Sequence, residues 1–434
     1  MHIAIDASRA TGREQTGTER YSFELIAALA RSDRFNRYTL FTNGQPAALP
    51  QLGPNFNVHN VRAPRLWTHL RLGPQSLLSQ ADVLFVPAHV IPLVAAHRSV
   101  VTIHDLGYRA FPESHTRRRR VELDLTTRWS VQRATRVIAI SQATKDALVQ
   151  HYNVDPTRVA VVHHGLSAAF RPADTPAITT VCARYGLQKP FFLYIGTVQP
   201  RKNLARLIAA FRTIAERIGA IELVIAGKRG WLTEQIEAEA AHAGLGARVR
   251  FIGFVPDAEL PALLSAARAF VFPSLYEGFG MPVLEAMGCG TPVLTANTSA
   301  LPEIAGDAAL LVDPSDTEAI AAALQQLADD AALRADLSAR GLQRAAHFTW
   351  ERCAEETLQV LRAAITHGTL LPSTSTSSIR CLLILAAILS HEALEICRIS
   401  PLSHLGQVLV CFTQASSSTW YTSPQRTLNG DSYE

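Results

Sequence analysis

Two glutamates eight residues apart, Glu277 and Glu285, bracket the segment Glu277-Gly278-Phe279-Gly280-Met281-Pro282-Val283-Leu284-Glu285. A carboxylate accepts hydrogen bonds from neighbouring hydroxyls, so the pair suits a ligand carrying diols, such as sugar and ribose rings. The segment follows the apolar run 269–272, which reads as a strand, and Pro282 suits the first turn of a helix. A glycine-containing loop from a parallel strand into a helix is where open α/β sheets bind ligands. Its bare N–H groups and the helix N-terminus can meet an anion or a sugar hydroxyl. Either glutamate alone reads as a solvated residue near a helix cap. Gly278, Gly280 and Pro282 between them reverse that balance.

A second cluster, Gly196-Thr197-Val198-Gln199-Pro200-Arg201-Lys202-Asn203-Leu204, also follows a strand-like run. Adjacent cations at a strand end can hold a diphosphate and stabilise it as it leaves. An isolated Arg-Lys pair is more often a solvated face, but this one lies in the same half as the glutamates, at an equivalent strand end. In the first half, Thr16-Gly17-Thr18-Glu19-Arg20 precedes a helical pattern, and Gly17 lets backbone approach a phosphate, although no G-x-G-x-x-G is present. His104 ends the run 100–103 and is placed to donate to a sugar hydroxyl or order the reactive centre, or else to bond within its own loop.

These residues need a scaffold, and the apolar pattern supplies one. Short Val- and Ile-rich runs at 2–5, 38–41, 83–86, 100–103, 136–140 and 159–162 alternate with helical stretches such as 21–30 and 142–151. Continuous apolar strands between helices argue for parallel sheets covered on both faces. A linker-like stretch at 171–176 holds two prolines, after which runs recur at 191–195, 222–226, 249–252, 269–272, 292–295 and 309–312. The expected organisation is therefore two doubly wound α/β domains, 1–170 and 177–345, a helix within 346–368, and a weakly ordered tail at 369–434.

The 434 residues are 48% hydrophobic and 18% charged, ample for two such cores. Charge is uneven: residues 1–172 carry 21 Lys and Arg against 12 Asp and Glu. Arg117, Arg118, Arg119 and Arg120 are consecutive, with Trp129 after them and Trp67, His69 and Arg71 earlier. That is material for an anionic membrane surface or a lipid phosphate, or for a plain Arg-rich exposed helix. No recognition motif for nucleic acid accompanies it. The six cysteines show no zinc spacing and fit reduced thiols in a cytosol. The chain opens on a strand pattern without an export signal, and no apolar run reaches a membrane span; the longest, 381–389, is half that. A cytoplasmic protein, peripheral on the inner membrane face at most, is the expectation.

The E-x7-E spacing resembles the signature of the retaining glycosyltransferases of family four. The segment 196–204 resembles that family's diphosphate-binding stretch, and Thr295-Ala296-Asn297-Thr298-Ser299-Ala300-Leu301-Pro302-Glu303-Ile304-Ala305-Gly306 its following strand and loop. The resemblance covers residues 1 to about 365 and implies two Rossmann-like domains facing across a cleft (GT-B), with a C-terminal helix crossing back near Phe348-Thr349-Trp350. It implies that Arg201 and Lys202 hold a nucleotide-sugar diphosphate, Glu285 the ribose, and Val255 the base through its backbone. Glu277, with the backbone of Phe279, Gly280 and Met281, would hold the transferred sugar; Gly17 would meet the phosphates and His104 the sugar. Attack from the leaving group's own face, with the departing phosphate taking the acceptor's proton, is the implied mechanism. The chain contains no Asp-x-Asp, in keeping with that family's lack of a catalytic metal; no cofactor is expected. The segments Ile5-Asp6-Ala7-Ser8-Arg9 and Gly17-Thr18-Glu19-Arg20-Tyr21 look nearest to bacterial mannosyltransferases of surface-polysaccharide assembly, which implies GDP-mannose and a lipid-linked or glycan acceptor. A UDP-sugar enzyme and a catalytically silent nucleotide-sugar-binding module are the alternatives.

Overall fold

The computed structural model describes residues 1–12, 17–63, 67–88, 90–95, 98–228, 230, 245 and 248–366, and its strands form two wholly parallel sheets. The first contains β1 (His2–Asp6), β2 (Arg37–Thr42), β3 (Phe56–Asn60), β4 (Val83–Val86), β5 (Ser99–Ile103), β6 (Arg136–Ala139) and β7 (Val159–Val161). They lie in the order β3-β2-β1-β4-β5-β6-β7. The second contains β8 (Phe191–Ile195), β9 (Glu222–Ala226), β10 (Val249–Gly253), β11 (Ala269–Phe272), β12 (Val293–Ala296) and β13 (Ala309–Val312). Their order is β10-β9-β8-β11-β12-β13. Each sheet therefore reverses direction of progression once, between β1 and β4 and between β8 and β11. The expected tail, and Thr16, lie outside the described residues.

Why the strands read as unbroken apolar runs is visible in the first domain. Ile3, Ile5, Val83 and Phe85 face one core, with Tyr21, Leu25 and Leu29 of the helix Gly17–Ser32. Ala4, Leu84, Val86 and Val101 face the other, with Leu148 and Tyr152 of the helix Gln142–Tyr152. Successive side chains alternate between two buried faces, so the strands are mostly apolar, and the few polar residues in them, such as Asp6, Thr39 and Thr102, are buried too. Each fully buried Leu, Ile or Val is worth about 1.5–3 kcal/mol, which makes the sheet a stiff platform for its loops.

Strand ends shift by a residue at several places, and three departures from the sequence expectation bear on the chain's organisation. The strand β3 was not anticipated, because four of its five residues are exposed at the sheet edge and its pattern is polar. Residues 175 and 176 are not linker: Asp174 caps the helix Thr175–Tyr185, accepting from the Ala177 N–H at 2.9 Å, with Pro176 in its first turn. Strand β12 starts at Val293, so Pro292 lies just before it.

The last helix, Trp350–Thr366, belongs to the first domain. Trp350, Cys353, Ala354, Leu358 and Leu361 join the core formed by Ile3, Ile5 and Tyr21, and Arg31 pairs with Glu351 at 2.8 Å. Where the chain returns, the Leu166 N–H donates to the Phe348 carbonyl at 2.8 Å. A Cβ on Gly165 would lie 2.2 Å from the Trp350 nitrogen, so the two crossing segments touch backbone to backbone and only glycine fits.

Candidate functional site

The loops after β8 and β11 leave neighbouring strands at the point where the second sheet reverses, the place open α/β sheets use for ligands. After β11 the chain makes a turn that ends at Gly280, whose φ of +113° an L side chain resists, and whose Cβ would meet Leu301 at 2.8 Å. The helix Met281–Gly288 begins there with Pro282 in its first turn, so Glu285 stands one turn inside it. After β8 a short turn, Pro200–Lys202, ends on Asn203 at φ 62°. The Asn203 amide donates to the carbonyls of Pro273 (3.0 Å) and Pro314 (2.7 Å) and so ties the two loops together.

That tie brings three expected residues into one cluster. Lys202 Nζ donates to Glu277 Oε1 at 2.6 Å, and Arg201 lies 3.2 Å from Glu277 Oε2 while also donating to the Tyr276 carbonyl. Ser274 Oγ donates to Oε1 at 2.6 Å, and the Glu277 N–H donates to Ser299 Oγ at 3.0 Å. Lys202 further sits over the Phe272 ring, 4.7 Å from its centre. Burial alone would raise the Glu277 carboxyl pKa, but the charges of Lys202 and Arg201, with the bonds from Lys202 and Ser274, hold it below the ordinary range. Burial lowers the Lys202 ammonium despite Glu277 beside it. Two cations face one buried carboxylate here, with the charge of Asp105 also acting on Lys202, and an anion with hydroxyls attached can compete for the cations.

Glu285 has a different environment. Its side chain is 10% exposed, and the charged group nearest it is Arg20, 3.4 Å away from the first domain. Burial pushes its carboxyl up to about 7, against the pull of Arg20. Arg20 also lies 3.8 Å from Asp257 and 5.3 Å over the Phe170 ring. Val255 is buried two residues before Asp257.

The first domain closes directly on this loop. A Cβ on Gly278 would come within 2.2 Å of the His104 carbonyl, so Gly278 is the residue that permits contact. Ser141 Oγ donates to the Gly278 carbonyl at 2.7 Å, and the Leu106 N–H donates to the Tyr276 hydroxyl at 3.2 Å. His104 itself is buried; its Nε2 bonds the Pro87 carbonyl at 2.8 Å and its ring stands edge-on to Tyr21. Phe279 is buried and stacks on His164 at 4.7 Å, while Met281 is half-buried at the helix start. Gly17 is exposed at the first turn of its helix, with open space where a side chain would be.

Sequence reasoning assigned no role to several residues that the fold brings in. Glu303, in the helix Leu301–Ala305, accepts from the Gln142 N–H at 2.8 Å and bonds His163 Nε2 at 2.6 Å. It caps a helix of the opposite domain. Arg20 and Ser299 likewise stood unassigned within the quoted segments, and Ser274 lies just ahead of one. The expectation of aromatic membrane anchors is corrected: Trp67 and Trp129 are buried, donating to the carbonyls of Val61 (2.5 Å) and Ile91 (3.2 Å). Arg117, Arg118, Arg119 and Arg120 are exposed at the start of the helix Arg117–Arg133, and Arg119 pairs with Glu122. Among the described residues no helix is long and apolar enough to cross a membrane.

Comparison with known proteins agrees with this geometry. The model of glycosyltransferase family 4 matches residues 15–170 and that of glycosyl transferases group 1 matches residues 184–344. O-antigen chain mannosyltransferase B of Escherichia coli is 32% identical over 367 residues, covering 80% of this chain and 96% of that protein. D-inositol 3-phosphate glycosyltransferase of Salinispora tropica is 37% identical over 270 residues, 57% of this chain and 55% of its own length. Sucrose-phosphate synthase from Thermosynechococcus elongatus superposes with a TM-score of 0.65 at 22% identity, covering 85% of this chain and all of that one. It shares the two-domain GT-B architecture.

Proposed function

The chain belongs to the group 1 and family 4 glycosyltransferases, and we propose that within them it moves mannose from GDP-mannose to a lipid-linked or polysaccharide acceptor during surface glycan assembly, on the cytoplasmic side of the membrane. The observation carrying this reading is the buried cluster of Arg201, Lys202 and Glu277 at the sheet reversal, under a closed first domain. It is joined by the likeness to a mannosyltransferase along nearly that protein's whole length.

In this reading the donor diphosphate takes the two cations and Glu277 is released toward the sugar hydroxyls. Arg201 and Lys202 then supply the positive charge that a bound metal supplies in other transferases, which makes the reaction metal-independent. The bond from the anomeric carbon to the phosphate oxygen breaks as the acceptor oxygen bonds that carbon from the same face. The acceptor's proton passes to the leaving phosphate, and configuration is retained. Glu285 takes the ribose hydroxyls, Val255 meets the base, and the backbone of Phe279, Gly280 and Met281 lines the sugar. Gly17 and His104 complete the site from the first domain.

The test is a thermal-shift comparison of the full chain with GDP-mannose, GDP, UDP-glucose, UDP-N-acetylglucosamine and UDP, with chelator present. A ligand that binds only the folded state raises the melting temperature. Selective stabilisation by the guanine pair is the expected result, followed by an α-linked product in proton NMR. Selective stabilisation by the uracil ligands would replace the donor, and no shift would refute donor binding. Arg201→Ala with Lys202→Ala should weaken donor and nucleotide diphosphate alike.

A further inference from the structure

Among the described residues of the first domain, Arg20 is the cation that reaches Glu285 in the second. It sits one turn into the helix Gly17–Ser32, so Gly17 and Arg20 lie on the same end of that helix. Its guanidinium is held on three sides: Glu285 at 3.4 Å, Asp257 at 3.8 Å and the Phe170 ring at 5.3 Å. Glu24, one turn further along the helix, also feels its charge. None of these contacts is a short bidentate pair. A guanidinium forms five directed N–H bonds when satisfied, and here the approach to Glu285 is long and single. The side chain remains 23% exposed.

We propose that Arg20 is the first domain's positioning residue for the donor diphosphate. This rests on the reading in which Glu285 holds the ribose. When ribose hydroxyls take Glu285, the weak ion pair to Arg20 is exchanged, and the guanidinium is left beside the phosphates attached to that ribose. The helix that presents Gly17 to the same phosphates carries it there. Planar guanidinium and phosphate oxygens match as a two-bond fork, which no contact of Arg20 in the free protein provides. Arg20 thereby changes partner with occupancy: without nucleotide it rests on Glu285, and with nucleotide it grips the group that must leave. Arg201 and Lys202 hold that group from below; Arg20 adds the third charge from the opposite side.

The experiment compares wild type, Arg20→Ala, Arg20→Gln and Arg20→Lys as full chains. Dissociation constants for GDP and for guanosine are measured by ligand-observed NMR titration, with circular dichroism as the folding control. Guanosine offers the ribose and base but no phosphate. Loss of charge-assisted bonds should weaken GDP roughly ten- to a hundredfold in the Ala and Gln variants. Guanosine should bind unchanged or tighter, because Glu285 is freed, and Arg20→Lys should recover much of the loss. Tighter binding of GDP and guanosine alike would overturn the proposal, showing Arg20 to be only a competitor for Glu285. Equal weakening of both, or no change in either, would equally overturn it. Where the wild type selects UDP and uridine, the guanine assignment falls and the same comparison with that pair decides Arg20. A wild type that binds neither pair refutes the donor assignment on which this proposal rests, and this one with it.

Discussion

Replacing Glu285 by Gln keeps the shape and one acceptor but removes the ionisable group, and its effect on stability follows from burial. The Glu285 carboxyl is pushed from its ordinary value of 4.5 to about 7 because burial disfavours the charged form. Below pH 4.5 the group is protonated in both folded and unfolded chains and has no pH-dependent effect. Between pH 4.5 and 7 the unfolded chain ionises while the folded one holds its proton, so stability falls as pH rises. Above pH 7 both are ionised and the penalty is complete. Each pH unit in that window is worth about 1.4 kcal/mol, giving a penalty of about 3 kcal/mol at pH 8. Solvent screening takes little of it, as the side chain is only 10% exposed. Urea unfolding of wild type and Glu285→Gln at pH 5 and pH 8 should show the variant's advantage growing from under about 1 to about 3 kcal/mol. An unchanged difference at the two pH values, or a variant less stable than wild type at pH 8, would refute the burial argument.

Glu277→Gln leaves the buried Lys202 and Arg201 without their counterion, a loss of about 3 kcal/mol in the unliganded protein. Calorimetry should show GDP affinity kept or raised, while turnover falls at least about a hundredfold; loss of GDP binding would contradict the arrangement. Gly278→Ala sets a Cβ 2.2 Å from the His104 carbonyl, so closure is blocked. Transfer should drop and small-angle scattering should report a larger radius of gyration, with nucleotide binding to the second domain less affected. Glu303→Gln removes charged bonds to Gln142 and His163 and should destabilise by about 1–3 kcal/mol at pH 7. Burial would raise the Glu303 carboxyl, but the bonds from His163 and Gln142 outweigh it and hold it low. Its contribution is therefore present above pH 4.5 and fades in acid, which unfolding at pH 3.5 checks.

The strands were the most legible part, because a parallel strand buried on both faces writes itself as four or five apolar residues in a row. Strand β8 and strand β11 follow that rule, whereas β3, exposed along one edge, does not. Local chemistry was legible for the same reason: the glycines and prolines around Glu277 and Arg201 dictate turns that no neighbour can alter. What stayed hidden was pairing across distance. Nothing within a few residues of Glu303 says that it caps a helix 161 residues earlier, nor near Arg20 that its partner lies 265 residues ahead. Trp67 and Trp129 misled for a related reason, since a tryptophan beside arginines looks the same in sequence whether its ring meets lipid or core.

The closing helix has a bearing on how the protein comes into being. Synthesis proceeds from the first residue, yet the core around Ile3 and Ile5 is sealed by Trp350, Leu358 and Leu361. The first domain emerges early and waits, with that apolar face uncovered, until residues near 366 have left the ribosome. The second domain, by contrast, has its described strands within 191–312 and can fold in one stretch while the first is unfinished. The later domain is thus the first that can be completed, and the interval between is when the nascent chain is most exposed to aggregation and to chaperones.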